Sequence, residues 1–194
     1  MTDKRRSVIS PDPYIGAGEI GVPPYFAKRL SFPERVTPWN VEMLREAVIR
    51  GYDELPGAVA VEDERGRVVS LVNQPRNRRE AIAKQLLSGT TAGMSAAGRK
   101  STTPAVSSPG ALSSSGPAPG VGKIVYRHLR DGDLMLTNRQ PTLHKPGLMA
   151  HRARVLKGER TIRMHYANCA TFNADFDGDE INLHLPQVRP FLIF

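Results

Sequence analysis

Residues 173–179, Asn-Ala-Asp-Phe-Asp-Gly-Asp, restrict the backbone more than any other stretch of this chain. Asp175, Asp177 and Asp179 stand at alternate positions. On an ideal helix, side chains at this spacing fan out around the axis; on a strand they share a face but are spread along it. Only a tight loop gathers all three about one point, and Gly178 gives the backbone the freedom to form it. Carboxylates this close repel, and at least one would take up a proton unless a cation sat among them. An all-oxygen ligand set suits a hard cation, Mg²⁺ or Mn²⁺ before Zn²⁺. Asp175, Asp177 and Asp179 are therefore candidate metal ligands and catalytic residues. A helix–loop–helix calcium site wants Gly at position six and Glu at position twelve. Counted from Asp175 those positions are Glu180 and Pro186, so the calcium reading fails. A solvated acidic turn is the bland alternative, and the residues upstream weigh against it.

Those residues are strongly cationic. Between Leu134 and Ala174 lie Arg139, Lys145, Arg152, Arg154, Lys157, Arg160 and Arg163 against a single acid, Glu159. Each alone reads as part of a solvated strand face. Beside a triple-carboxylate loop they form what phosphoryl transfer on a nucleic acid requires: a metal to neutralise phosphate, and guanidinium groups to hold phosphates and sugars bidentately. The whole chain agrees in sign, with 27 Lys and Arg, 19 Asp and Glu and a net charge of +8, which favours polyanionic partners. Cys169 is the one cysteine, which excludes a disulfide or a Cys-rich zinc site and suits the filling of a small apolar gap. The spacing of His144, His151, His165 and His184 matches no zinc pattern. No apolar run reaches the 18 residues of a membrane span, and the N-terminal residues lack a secretory signal. The expectation is a soluble intracellular protein without a membrane partner.

A change in composition divides the chain. Residues 88–122 are almost wholly Ser, Thr, Gly, Ala and Pro, with Arg99 and Lys100 as the only charges. They read as a disordered insertion, because such a segment buries too little apolar surface to offset its ordering entropy. Residues 1–87 form the expected first part. Residues 1–36, rich in Pro and Gly, read as extended, loop-heavy chain. A helix follows Thr37-Pro38, with Val41, Leu44, Ala47 and Val48 on one face and Gly51 as its stop. Ala58–Val61 and Arg67–Val72 read as a hairpin turning at Arg65-Gly66. A second helix is expected over 78–87, capped by Asn77 with Glu80. Residues 123–187 read as short strands: Lys123–Leu129 and Leu134–Leu136 about Asp131-Gly132, then Met149–Leu156 and Thr161–Tyr166 about Lys157-Gly158. The fold class is mixed, mainly β with α additions, in a compact barrel or sandwich.

Several stretches resemble a known family. NADFDGDE (173–180) resembles the signature loop of the largest subunit of multi-subunit DNA-dependent RNA polymerases. NRQPTLHKPG (138–147), RSVISPDP (6–13), EIGVP (19–23) and FPERVTPWN (32–40) resemble it too. The resemblance covers nearly the whole chain apart from 88–122 and the tail 188–194. HRARVL (151–156) and HYANC (165–169) are most similar to the polymerase I type, which transcribes ribosomal RNA precursor.

The resemblance implies a double-psi β-barrel active-site domain. It implies that Asp175, Asp177 and Asp179 hold one Mg²⁺, with a second arriving with the nucleotide and no zinc site in this part. It implies that Arg139 and Asn173 contact the ribose hydroxyls of the substrate, with Gln140 near the RNA end and Lys145, Arg152 and Arg154 on nucleic acid. The implied partners are template DNA, RNA product, ribonucleoside triphosphates, the second-largest subunit and smaller subunits, and the implied place is the nucleus, at its nucleolus. The family's subunit is many times longer, so the chain is expected to be a fragment acting only in an assembly. A basic nucleic-acid-binding module and a truncated product without activity of its own are the alternative readings.

Overall fold

The computed structural model describes residues 2–86 and 122–187. The expected insertion, Gly122 apart, and the tail 188–194 lie outside them. In chain order the elements are strands β1 (Thr2–Pro11) and β2 (Glu19–Val22), helix α1 (Pro24–Arg29), β3 (Ser31–Arg35), helix α2 (Val41–Arg50), β4 (Ala58–Glu62), β5 (Val68–Ser70), helix α3 (Arg76–Lys84), β6 (Ile124–His128), β7 (Leu134–Asn138), β8 (Leu148–Val155), β9 (Ile162–Met164), helix α4 (Cys169–Phe172) and β10 (Glu180–Pro186). Short 3₁₀ turns cover Lys145–Gly147 and Tyr166–Asn168.

Six strands close a barrel in the order β1-β10-β7-β8-β2-β9. Its pairing is mixed: β1 runs parallel to β9 and β2 parallel to β8, and the other neighbours are antiparallel. The mainly β barrel with helical additions expected from the sequence is thus present. Ile9, Ile20, Met135, Ile162, Met164, Ile181, Leu183 and Leu185 fill its interior. Along β10, Ile181, Leu183 and Leu185 alternate as a strand with one buried face requires.

The remaining strands form a second sheet, β3-β6-β4-β5, all antiparallel. Its apolar face packs against α2 through Val41, Leu44, Ala47 and Val48, the residues assigned to that face by spacing. Gly51 ends α2 at φ +73°, as its position predicts. The two sheets meet at a buried charge cluster. The guanidinium of Arg127 on β6 donates to Glu34 of β3 and, through both Nη atoms at 2.8 Å, to Asp133 at the entrance to β7.

Four expectations need correction. Residues 2–35 hold three strands and a helix instead of loop, because a strand at a barrel seam needs backbone partners more than apolar side chains. Arg5 and Arg6 of β1 stand opposite Leu183 and Asn182 in the antiparallel ladder with β10 while their side chains stay polar. β6 and β7 do not pair about Asp131-Gly132: the turn carries the chain from one sheet to the other. β8 and β9 do not pair either, since β2 lies between them, parallel to one and antiparallel to the other. Finally, α3 begins at Arg76 behind Pro75, whose ring fixes φ at −64°, so Asn77 lies inside the helix and caps nothing.

Candidate metal centre and its surroundings

The acidic loop is the connection from α4 to β10, and both ends are clamped. At the first, α4 closes on Asn173, which adopts the left-handed conformation (φ 46°, ψ 48°), and the Ala174 N–H donates to the Cys169 carbonyl at 2.9 Å. Asn tolerates this conformation because its short polar side chain satisfies local groups. At the second, the Asp179 carbonyl accepts from the Ile9 N–H of β1 at 3.0 Å. Between them Gly178 turns the chain at φ +128°, where a side chain would be strained. Phe176 meets Tyr166 edge to face, with ring centroids 6.1 Å apart. One carboxylate oxygen from each of Asp175, Asp177 and Asp179 lies within 4.8 Å of the others. The loop therefore brings together the three carboxylates that the sequence assigns to one cation, and this all-oxygen cluster fits a hard divalent ion.

Arg139 joins them from the end of β7. Its Nε donates to Asp179 Oδ2 at 2.8 Å, and the Asp175 N–H donates to the same oxygen at 3.1 Å. The register explains the meeting: Asn182 of β10 lies opposite Asn138 of β7, so the residues just outside those strands approach one another. The charges divide accordingly. Arg139 holds the Asp179 carboxyl below its ordinary range, and Asp179 in turn raises the guanidinium. Asp175 is pushed up, chiefly by its hydrogen bond with Asp177 and then by burial and the neighbouring negative charges. Beside the loop, Arg139, Cys169, Ala170, Asn173, Ala174 and Asp175 line an open cleft of about 220 Å³.

The NRQP stretch is fixed from both sides. Asn138 Nδ2 donates to Thr142 Oγ1 at 2.7 Å and to the Gly147 carbonyl at 3.0 Å, and His144 Nε2 meets the Thr171 carbonyl of α4 at 3.0 Å. Gln140 and Lys145 are exposed at this end. Arg152 and Arg154 are not gathered here. They lie four and six residues beyond Leu148 on β8, about 13 and 20 Å along the strand. Arg154 instead contacts Glu19 and the Tyr14 carbonyl, and Arg163 pairs with Glu159. The histidines share no site: His144 binds α4, His165 accepts from the Ala167 N–H and His151 is buried. Cys169 packs at the barrel core, and burial raises its thiol.

Sequence reasoning missed the Arg139–Asp179 contact and strand β10. Alternation at Ile181, Leu183 and Leu185 carried the signal for the strand. No local pattern could show an ion pair between residues so far apart in the chain.

The described residues thus form a closed mixed barrel that presents a triple-carboxylate loop with an arginine upon it. The chain belongs to the family described as RNA polymerase Rpb1, domain 2, which matches residues 2–190. It is 54% identical over 185 residues to DNA-directed RNA polymerase I subunit 1 of Arabidopsis thaliana, covering 94% of this chain and 10% of that protein. It is 48% identical over 182 residues to DNA-directed RNA polymerase I subunit RPA190 of Saccharomyces cerevisiae, again 94% and 10%. With DNA-directed RNA polymerase subunit Rpo1N of Thermococcus celer it shares 41% over 184 residues, 95% of this chain and 16% of that protein. The chain spans about a tenth of the length of the polymerase I subunits it matches.

Proposed function

We propose that this chain is the metal-holding domain of the largest subunit of a DNA-directed RNA polymerase of the polymerase I type. The observation that carries the reading is the convergence of Asp175, Asp177 and Asp179 within 4.8 Å, beside Arg139, in a chain of this family. These three carboxylates hold Mg²⁺. With a second ion arriving with the nucleotide, the bound metal would stabilise the charge on the attacking and leaving oxygens when an RNA 3′-hydroxyl displaces pyrophosphate from a ribonucleoside triphosphate.

The chain's own residues bind and orient. Arg139, held against Asp179, and Asn173, presented at the mouth of the cleft, read the ribose hydroxyls, which separates ribonucleotides from deoxyribonucleotides. Gln140 lies beside the RNA end. Lys145 contacts backbone phosphate near the site, and Arg152 and Arg154 contact nucleic acid farther along the barrel. Template DNA, the RNA product, the second-largest subunit and smaller subunits complete the assembly. The place of action is the nucleus, at its nucleolus, and the product is ribosomal RNA precursor.

The test is Asp177→Asn in the full-length subunit within the assembled polymerase. RNA synthesis should fall below detection while assembly is unchanged, and retained synthesis overturns the reading. Fe²⁺ in place of Mg²⁺ gives a readout independent of synthesis: hydroxyl-radical cuts should cluster at 173–180 and 138–147. Cuts confined to the loop would separate the Arg139 stretch from the metal.

A further inference from the structure

His151 lies on β8, 3% exposed, behind the candidate metal centre and outside every role assigned above. Its hydrogen bonds have only one consistent direction. The Ala17 carbonyl, an acceptor, receives the Asn168 Nδ2 group at 2.8 Å. The same Nδ2 group lies 3.3 Å from His151 Nε2, so that nitrogen must accept and carries no proton. The proton of the neutral ring then sits on Nδ1, which donates to Thr137 Oγ1 at 2.7 Å. Thr137, itself fully buried, spends its hydroxyl proton on the Met149 carbonyl at 3.1 Å. Every donor in the series thus meets an acceptor. Burial holds the imidazole below its ordinary pKa, against a weaker pull from the Met149 carbonyl, and so favours the neutral ring the series needs.

The series joins the two supports of the site. Thr137 stands two residues before Arg139 at the end of β7. Asn168 is the last residue of the turn that leads into α4, and α4 ends at Asn173. The imidazole also packs against Phe172, the residue before Asn173, with ring centroids 6.0 Å apart. Both elements that present the ribose-reading pair are therefore tied through one ring.

We infer that His151 is a positioning residue for ribose selection: its neutral ring, protonated on Nδ1, fixes the strand carrying Arg139 against the helix carrying Asn173. This rests on the reading of Arg139 and Asn173 given above. It touches neither metal nor substrate.

The test is the ratio of kcat/KM for a ribonucleotide to that for the matching deoxyribonucleotide, in the assembled polymerase carrying variants of this chain. His151→Phe keeps a ring against Phe172 and removes both nitrogens. It should reduce the ratio roughly ten- to hundredfold, the usual cost of losing a supporting contact, mainly through a raised ribonucleotide KM. His151→Gln places an acceptor near the Nε2 position and should restore much of the ratio. His151→Asn reaches only the Thr137 side and should not. Asn168→Ala cuts the series at its exposed end without emptying the core and should match His151→Phe. An unchanged ratio in Asn168→Ala or His151→Phe overturns the inference, as does equal behaviour of the Gln and Asn variants. Asn173→Ala separates this from the reading beneath it. If Asn173→Ala lowers the ratio and His151→Phe does not, the positioning role alone fails; if Asn173→Ala leaves it unchanged, the assignment of the ribose-reading pair fails.

Discussion

Arg127 is the joint between the barrel and the second sheet, and replacing it with Met should be among the most damaging single changes in the chain. Arg127 and Glu34 are each 6% exposed, so the pair is effectively out of water. Asp133 receives both Nη atoms at 2.8 Å, and the guanidinium lies over the Phe32 ring at 4.9 Å from its centroid. Removing Arg127 takes from buried Glu34 and half-buried Asp133 the guanidinium that each hydrogen-bonds, which costs about 3–5 kcal/mol. In a domain of this size each kcal/mol moves the melting midpoint by about 2–4 °C, so Arg127→Met should lower it by about 6–20 °C. Circular dichroism melts of the 194-residue chain measure this. The cause can be isolated, because Glu34 also accepts from Asn40 Nδ2 and Asp133 from the Arg130 N–H, bonds that Gln and Asn can keep. Arg127→Met combined with Glu34→Gln and Asp133→Asn should regain at least half of the lost midpoint, since the two carboxylate charges that the guanidinium balanced are removed with it. A single variant that loses less than about 1 kcal/mol, the range of an exposed pair, would refute the reasoning. So would a triple variant no more stable than the single one.

Acid should weaken the fold through His128. Burial, reinforced by the positive charge of Lys28, pushes this imidazole down to about 4 from the ordinary 6.5, and its Nδ1 accepts from the Gly57 N–H. The folded state binds fewer protons than the unfolded chain between those values, so stability is complete above pH 6.5 and falls as the pH drops toward 4, by about 3 kcal/mol. His128→Gln should flatten that slope in pH-dependent melts; identical slopes would remove His128 as the cause. Gly21→Ala tests the crossing of β2 between β8 and β9, because an added Cβ would stand 2.5 Å from Arg163 Cβ and 2.6 Å from Leu156 Cδ1. Overpacking there should cost about 1–3 kcal/mol, whereas Gly18→Ala, with nothing within 4 Å of its added Cβ, serves as the control. Equal melting of the two variants would argue against the tight crossing.

What the sequence made legible follows from how local the determining physics is. The face and stop of α2 were readable because helix periodicity and a left-handed glycine are properties of neighbouring residues. The three Asp were readable because repulsion within five residues has few resolutions. β1 was not, because its charged side chains reveal nothing of the backbone partners that Ile162 and Leu183 provide from distant chain. The same limit explains why the cationic run looked like one patch. Counted along the chain, Arg139, Arg152, Arg154 and Arg163 are close. In the barrel they lie on separate strands and positions, and only Arg139 meets the carboxylates.

Barrel closure and the acidic loop are one structural problem. Three carboxylates held this close tend to push the loop open, and Gly178 makes its backbone easier still to deform. Besides the Asp175 N–H on Asp179, what resists comes from outside the loop: the Cys169 carbonyl at one end, and the Ile9 N–H and Arg139 on Asp179 at the other. Ile9 belongs to β1, whose neighbours are β10 and β9, so the strand that closes the barrel also pins Asp179. Arg139 belongs to the end of β7, on the other side of β10. The acidic loop thus hangs from strands drawn from both halves of the chain. Residues before the Ser- and Gly-rich segment thus help to hold the loop, although all three carboxylates lie in the second half.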